Sequence, residues 1–155
     1  MRTIQNERML GEIDISRIKI DAKSRDDIPQ ILRGIQYLYT NEETRNKLFI
    51  ALERAMPSNI DKNNGRPGMT LWRVFVLGVL RLNLNCDYDR LHSLANNYKT
   101  VREMLGHGAF DEEYYYELQT LKDNVRLLTP EVLDKINHVV VDEGHKLLKK
   151  KELPA

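Results

Sequence analysis

"LWRVFVLGVLRLNL", residues 71–84, is apolar at nearly every position and on every side of the helix it would form. Such a helix is stable only when neighbours cover it all round, so the run predicts the central element of a multi-helix core. It is too short to span a bilayer and carries Arg73 and Arg81, which excludes a membrane partner.

The stretches on either side read as further helices. Ile28, Ile31, Leu32, Ile35 and Leu38 recur at helical spacing. Thr40 with Glu43 forms the pattern of a capping box and predicts a second helix up to Met56, ended by Pro57. Leu48, Leu52, Ala55 and Met56 give that helix an apolar stripe. Residues 58–68 hold Gly65, Pro67 and Gly68 and predict a loop. Beyond the central run, Asp87 is a candidate N-cap for "YDRLHSLANN", with Leu91, Leu94 and Ala95 on one face. Thr100 and Gly106 bracket a short helix, and Asp111 caps an expected helix through "EEYYYELQTLKDNVRLL". Thr129-Pro130 opens the last helix, with proline at its tolerated first position. Residues 1–26 alternate charge with isoleucine and predict an extended arm or a short strand. The expected class is all-α, about seven helices, with a short irregular N-terminal arm. The segments are 1–57, arm and helical pair; 58–68, loop; 69–150, second helical region; and 151–155, tail.

At 155 residues, 41% hydrophobic and 30% charged, the composition is that of a globular protein rather than a disordered one. The single Cys86 permits no internal disulfide, and residues 1–15 lack the apolar core of a signal peptide. Both predict a cytoplasmic protein. The net charge is only +1, but it is unevenly spread. Residues 61–106 carry seven Lys/Arg against four Asp/Glu, and residues 110–126 carry two against five. Segregation of this kind permits a phosphate-facing surface without a basic total.

Each constellation has a functional and a plain reading. Residues 87–105 have the outline of a helix-turn-helix, whose second helix would present Lys99 and Arg102 to DNA; the plain reading is two packed helices. Arg66, at the lip of the central helix, is either a phosphate contact or a solubilising turn residue. Asp111, Glu112, Glu113, Glu117 and Asp123 are clustered carboxylates, yet acids in a first helical turn are favoured by the helix dipole without any metal. His138, Asp142 and His145 share one helix face, and no fourth ligand accompanies them. Cys86 has no histidine at a spacing that proposes a nucleophile pair, and no glycine-rich phosphate cradle occurs. Catalytic residues, metal ligands and cofactors are therefore not assigned.

Taken in order, "NGRPGMTLWRVFVLGVLRLN", "DYDRLHSLANN", "VREMLGHG" and "FDEEYYYELQTLKDNVRLLTPEVLDKINHVVV" resemble the N-terminal half of bacterial insertion-sequence transposases of the DDE type, particularly the ISNCY group. The resemblance spans about residues 3–150, most specifically 110–141. It implies a helical region that recognises the terminal inverted repeats of a mobile element, followed in the family by a ribonuclease-H-like domain with three metal-binding acids. This chain ends at "KKKELPA", where that domain would begin, so no catalytic residue is carried over. The expected function is DNA binding without catalysis, with Arg66, Lys99 and Arg102 as DNA contacts, DNA as partner and a homo-oligomer as a further possibility. The rivals are a helical oligomerisation or interaction module, and a metal-dependent nuclease.

Overall fold

The computed structural model describes residues 14–21, 23, 26–55, 69–108, 114–136 and 138. It is all-helical, with no strand among the described residues. A 3-10 turn at Ile15–Arg17 precedes α1 (Asp27–Thr40), α2 (Glu42–Ala55), α3 (Leu71–Leu84), α4 (Tyr88–Asn97), α5 (Lys99–Met104) and α6 (Leu118–Val125). Residues 130–136 are helical as well. None of the described helices is long and apolar enough to cross a membrane.

α3 is the axis of the molecule and packs against α1, α2, α4 and α6. Leu71, Trp72, Val74, Phe75, Val76, Leu77, Gly78 and Leu80 are all buried, so most of its apolar residues are covered from several sides, while Leu82 near its end stays exposed. Thr70 begins it by accepting from the Arg73 amide at 3.3 Å. Asn85 ends it in the left-handed conformation, φ 49°. The Cys86 amide then reaches back to the Arg81 carbonyl and the Asn85 amide to that of Leu82, each at 3.3 Å, which closes the helix as a Schellman motif. Tyr39 and Phe49 set their rings edge-on to Trp72, at centroid distances of 4.9 and 6.3 Å. This aromatic contact ties α1 and α2 to the core.

Several boundaries differ from the sequence expectation. Thr40 is the last residue of α1, and its hydroxyl donates to the Tyr37 carbonyl. The cap of α2 is Asn41, whose Oδ1 accepts from the Thr44 amide at 3.1 Å. Only Asn41 thus separates the two helices, and the expected Thr40–Glu43 box does not form. Within α2 the buried stripe is Leu48, Phe49 and Leu52; Met56 and the loop 58–68 lie outside the described residues. The described part of the N-terminal arm forms a turn at Ile15–Arg17 and no strand, and residues 1–13 lie outside the described residues. Ile15 and Ile18 are buried, and Gln36 of α1 donates to both of their carbonyls at 3.0 and 2.8 Å. The Ile15 carbonyl also accepts from the Ile18 amide at 3.3 Å, so the Gln36 side chain adds a second donor there and serves the Ile18 carbonyl beside it.

Candidate nucleic-acid interface

Asp87 starts α4 as expected, its Oδ1 accepting from the Arg90 amide at 2.8 Å. Leu91 and Ala95 bury one face, and Leu94 is half-buried. The chain then turns within a single residue. Tyr98, extended at φ −89° and ψ 110°, is the C-cap of α4 and the N-cap of α5. Helix α5 therefore begins at Lys99 without a side-chain cap, and Thr100 sits inside it rather than ahead of it. Gly106, at φ 99°, ends it where an L side chain would be strained. The His107 amide bonds to the Arg102 carbonyl and the Gly106 amide to that of Glu103, at 3.0 and 2.9 Å, a second Schellman closure.

A helix of six residues cannot hold itself, and its neighbours hold it. Val101 and Met104 are fully buried. The last carbonyls of the turn, on Met104 and Leu105, accept from Trp72 Nε1 at 2.8 Å and Arg73 Nε at 2.9 Å. Arg102 Nη1 donates to the Ala95 carbonyl of α4 at 3.2 Å. The bihelical unit is thus fastened to α3 and across its own corner. Lys99 stands exposed at its N-terminal edge, with Arg90 exposed on α4. The acids nearby are Asp87, occupied as a cap, exposed Asp89 and half-buried Glu103.

Residues 114–117, expected on a helix, are not helical; α6 starts at Leu118. This segment lies clamped on α4. Asn96 Oδ1 accepts from the Tyr116 amide at 2.7 Å and its Nδ2 donates to the Tyr116 carbonyl at 3.1 Å. That carbonyl also accepts from His92 Nε2 at 2.8 Å, which fixes the proton on that nitrogen. Tyr116 is buried, with its hydroxyl on His107 Nε2. Tyr114 stacks on His107 at 4.7 Å and Tyr115 meets His92 edge-on at 5.4 Å, both remaining exposed. Nothing in the residue pattern distinguished Tyr116 from its two neighbours. The signal that pairs it with Asn96, His92 and His107 is purely tertiary.

Of the expected DNA contacts, Lys99 and Arg102 share one turn of α5, but only Lys99 is exposed; Arg102 is turned inward on Ala95. Arg66 lies outside the described residues, as do Asp111, Glu112, Glu113, Asp142 and His145. Arg73 and Arg81 are half-buried, Arg73 facing the Tyr114 ring at 5.6 Å and Arg81 the Tyr88 ring at 4.3 Å. Glu117 and Asp123 are exposed, and Asp123 pairs with Arg126. His138 pairs with Asp134 at 3.6 Å. Among the described residues no cluster of His, Cys, Asp or Glu is grouped to hold a metal ion. Burial pushes the Cys86 thiol above its ordinary range, against the opposing pull of Arg90. Compared with protein-family models, curated proteins and solved structures, the chain matches none.

Proposed function

We propose that this chain is the DNA-binding N-terminal region of an insertion-sequence transposase, recognising terminal inverted repeats and carrying no cleavage chemistry of its own. The observation that supports the reading is the α4–α5 corner: two helices joined through Tyr98 alone, with Lys99 exposed at the start of the second. In helix-turn-helix proteins, residues at that end of the second helix meet the DNA. Lys99 contributes a phosphate contact, whereas Arg102 holds the corner by serving the Ala95 carbonyl.

Selection from a pool of randomised DNA duplexes tests the reading. Recognition of inverted repeats predicts enrichment of one shared motif, and Lys99→Ala weakens its capture without changing helicity. Uniform recovery of the pool contradicts recognition. A second reading, an interaction module, draws on exposed Tyr114 and Tyr115 beside Arg73. It predicts self-association that Tyr115→Ala abolishes, measured by sedimentation.

A further inference from the structure

Helix α5 ends on carbonyls that its own closure does not reach. The Schellman closure at Gly106 takes up the Arg102 and Glu103 carbonyls, at 3.0 and 2.9 Å. The next two, on Met104 and Leu105, belong to residues no more than 1% exposed. Trp72 and Arg73, neighbours in the first turn of α3, donate to them at 2.8 and 2.9 Å. Thr70 caps that turn at the Arg73 amide, so the two donors stand on a fixed base.

Arg73 has a second contact. Its guanidinium lies 5.6 Å from the Tyr114 ring, which stacks on His107 at 4.7 Å. The His107 amide in turn bonds to the Arg102 carbonyl inside α5. The arginine thus closes a circuit of contacts from α3 through Tyr114 back to α5. A guanidinium is fitted to this place, since it can give an N–H to a carbonyl while lying over an aromatic ring. Its positive charge is also favoured at the carbonyl end of a helix.

The shape of the corner gives this fastening its consequence. α5 is six residues long and joined to α4 through Tyr98 alone. Burial of Val101 and Met104 presses it on the core, but apolar contact is non-directional. Arg102 ties it to the Ala95 carbonyl, close to the joint. The direction of the helix is therefore set at its far end, by the Trp72 and Arg73 bonds. Trp72 also packs against Tyr39, Phe49 and Phe75, whereas Arg73 is half-buried and can be exchanged without opening the core.

We propose that Arg73 is a positioning residue for DNA recognition, which fixes the direction of α5 across the DNA groove without touching DNA itself. The inference rests on the DNA-binding reading and deepens it. Sequence preference comes from the alignment of α5, and the general phosphate grip from Lys99 beside the joint.

The test uses the full chain and fluorescence anisotropy on two duplexes of equal length. One carries the motif that the parent enriches from a randomised pool, and the other is of mixed sequence. Arg73→Met keeps an unbranched stem and removes the donor and the charge. It is expected to lower the preference for the motif about tenfold, the factor a charge-assisted hydrogen bond contributes in holding one placement. Affinity for the mixed duplex and its salt slope stay as in the parent, because no phosphate contact is lost. Arg73→Lys, which keeps a donor on a long stem, recovers part of the preference. Trp72 is the single tryptophan and bonds to the same end of α5, so its emission shifts in Arg73→Met while helicity is unchanged. An emission like the parent's contradicts the pin. A merely structural arginine would lower the melting temperature and leave the preference of the folded protein intact. If both affinities fall together and the slope drops by about 0.9, Arg73 is itself a phosphate contact and the proposal is overturned. If the preference is unchanged while Lys99→Ala still weakens binding, α5 needs no such pin and the DNA-binding reading stands alone. A parent that enriches no motif removes both readings together.

Discussion

Asn96 is the residue on which most local order depends. Its amide serves both main-chain groups of Tyr116 and the His92 carbonyl. Replacing it with alanine leaves the Tyr116 amide, on a residue 2% exposed, without that acceptor. The loss is about 2–3 kcal/mol, the cost of stranding a buried polar group together with the lost bonds. Chemical denaturation of Asn96→Ala measures it, and a change below about 0.5 kcal/mol, the range of an ordinary surface substitution, contradicts the clamp. Cys86 gives a different signature. Its folded-state pKa is raised by burial, so the unfolded chain releases the proton first as pH rises. The thiol's contribution is therefore full below its ordinary alkaline range and is lost as pH climbs from there through the raised value. Unfolding curves of the parent should fall in stability across that window more steeply than those of Cys86→Ala. Parallel curves would show the thiol to be as open to water folded as unfolded.

Two glycines within helices separate packing from exposure. A methyl group on Gly78 in α3 would stand 2.9 Å from Leu128 Cδ1 and 3.4 Å from Leu133 Cδ2, whereas one on Gly34 in α1 meets no described atom within 4 Å. Gly78→Val should therefore destabilise by roughly 1–3 kcal/mol through overpacking. Gly34→Ala should stabilise by about 0.5–1 kcal/mol through helix propensity alone. Thermal melts of the two variants must move in opposite directions; a shared direction contradicts the packing around α3. Helices were legible wherever a single face or a full apolar girth carried the pattern, as in α1, α3 and α4. Asp87 and Thr129 were legible as caps because their side chains act on neighbours three residues away. The α1–α2 junction was not, because Thr40 and Asn41 are both capable caps and the choice falls to chain geometry. Tyr114, Tyr115 and Tyr116 misled for a related reason. Helical spacing alone cannot register that Asn96, 20 residues away, offers the Tyr116 backbone a better partner than a helix would. Lys99 was legible as an exposed cation, whereas the inward turn of Arg102 depends on where the Ala95 carbonyl, in the last turn of α4, falls across the corner.

The described helices are arranged about α3, which packs against α1, α2, α4 and α6, and α1 also meets α5 of the corner. On the proposed function the described acids act as caps, ion-pair partners and solvated groups, and cleavage is not expected from this chain. Supercoiled plasmid incubated with the protein and Mg²⁺ or Mn²⁺ should stay intact, since two-metal chemistry needs carboxylates converging on a pair of ions. Nicking that disappears with Asp111→Ala or Glu117→Ala would favour the nuclease rival. On the proposed function this helical chain binds DNA through a few phosphate contacts. Its most direct test is the affinity for short duplex DNA measured across a salt series. Each contact contributes about −0.9 to the slope of log affinity against log salt, so a handful predicts a slope of roughly −2 to −4. Binding with that slope supports the account; no binding at low ionic strength, or an affinity indifferent to salt, contradicts it.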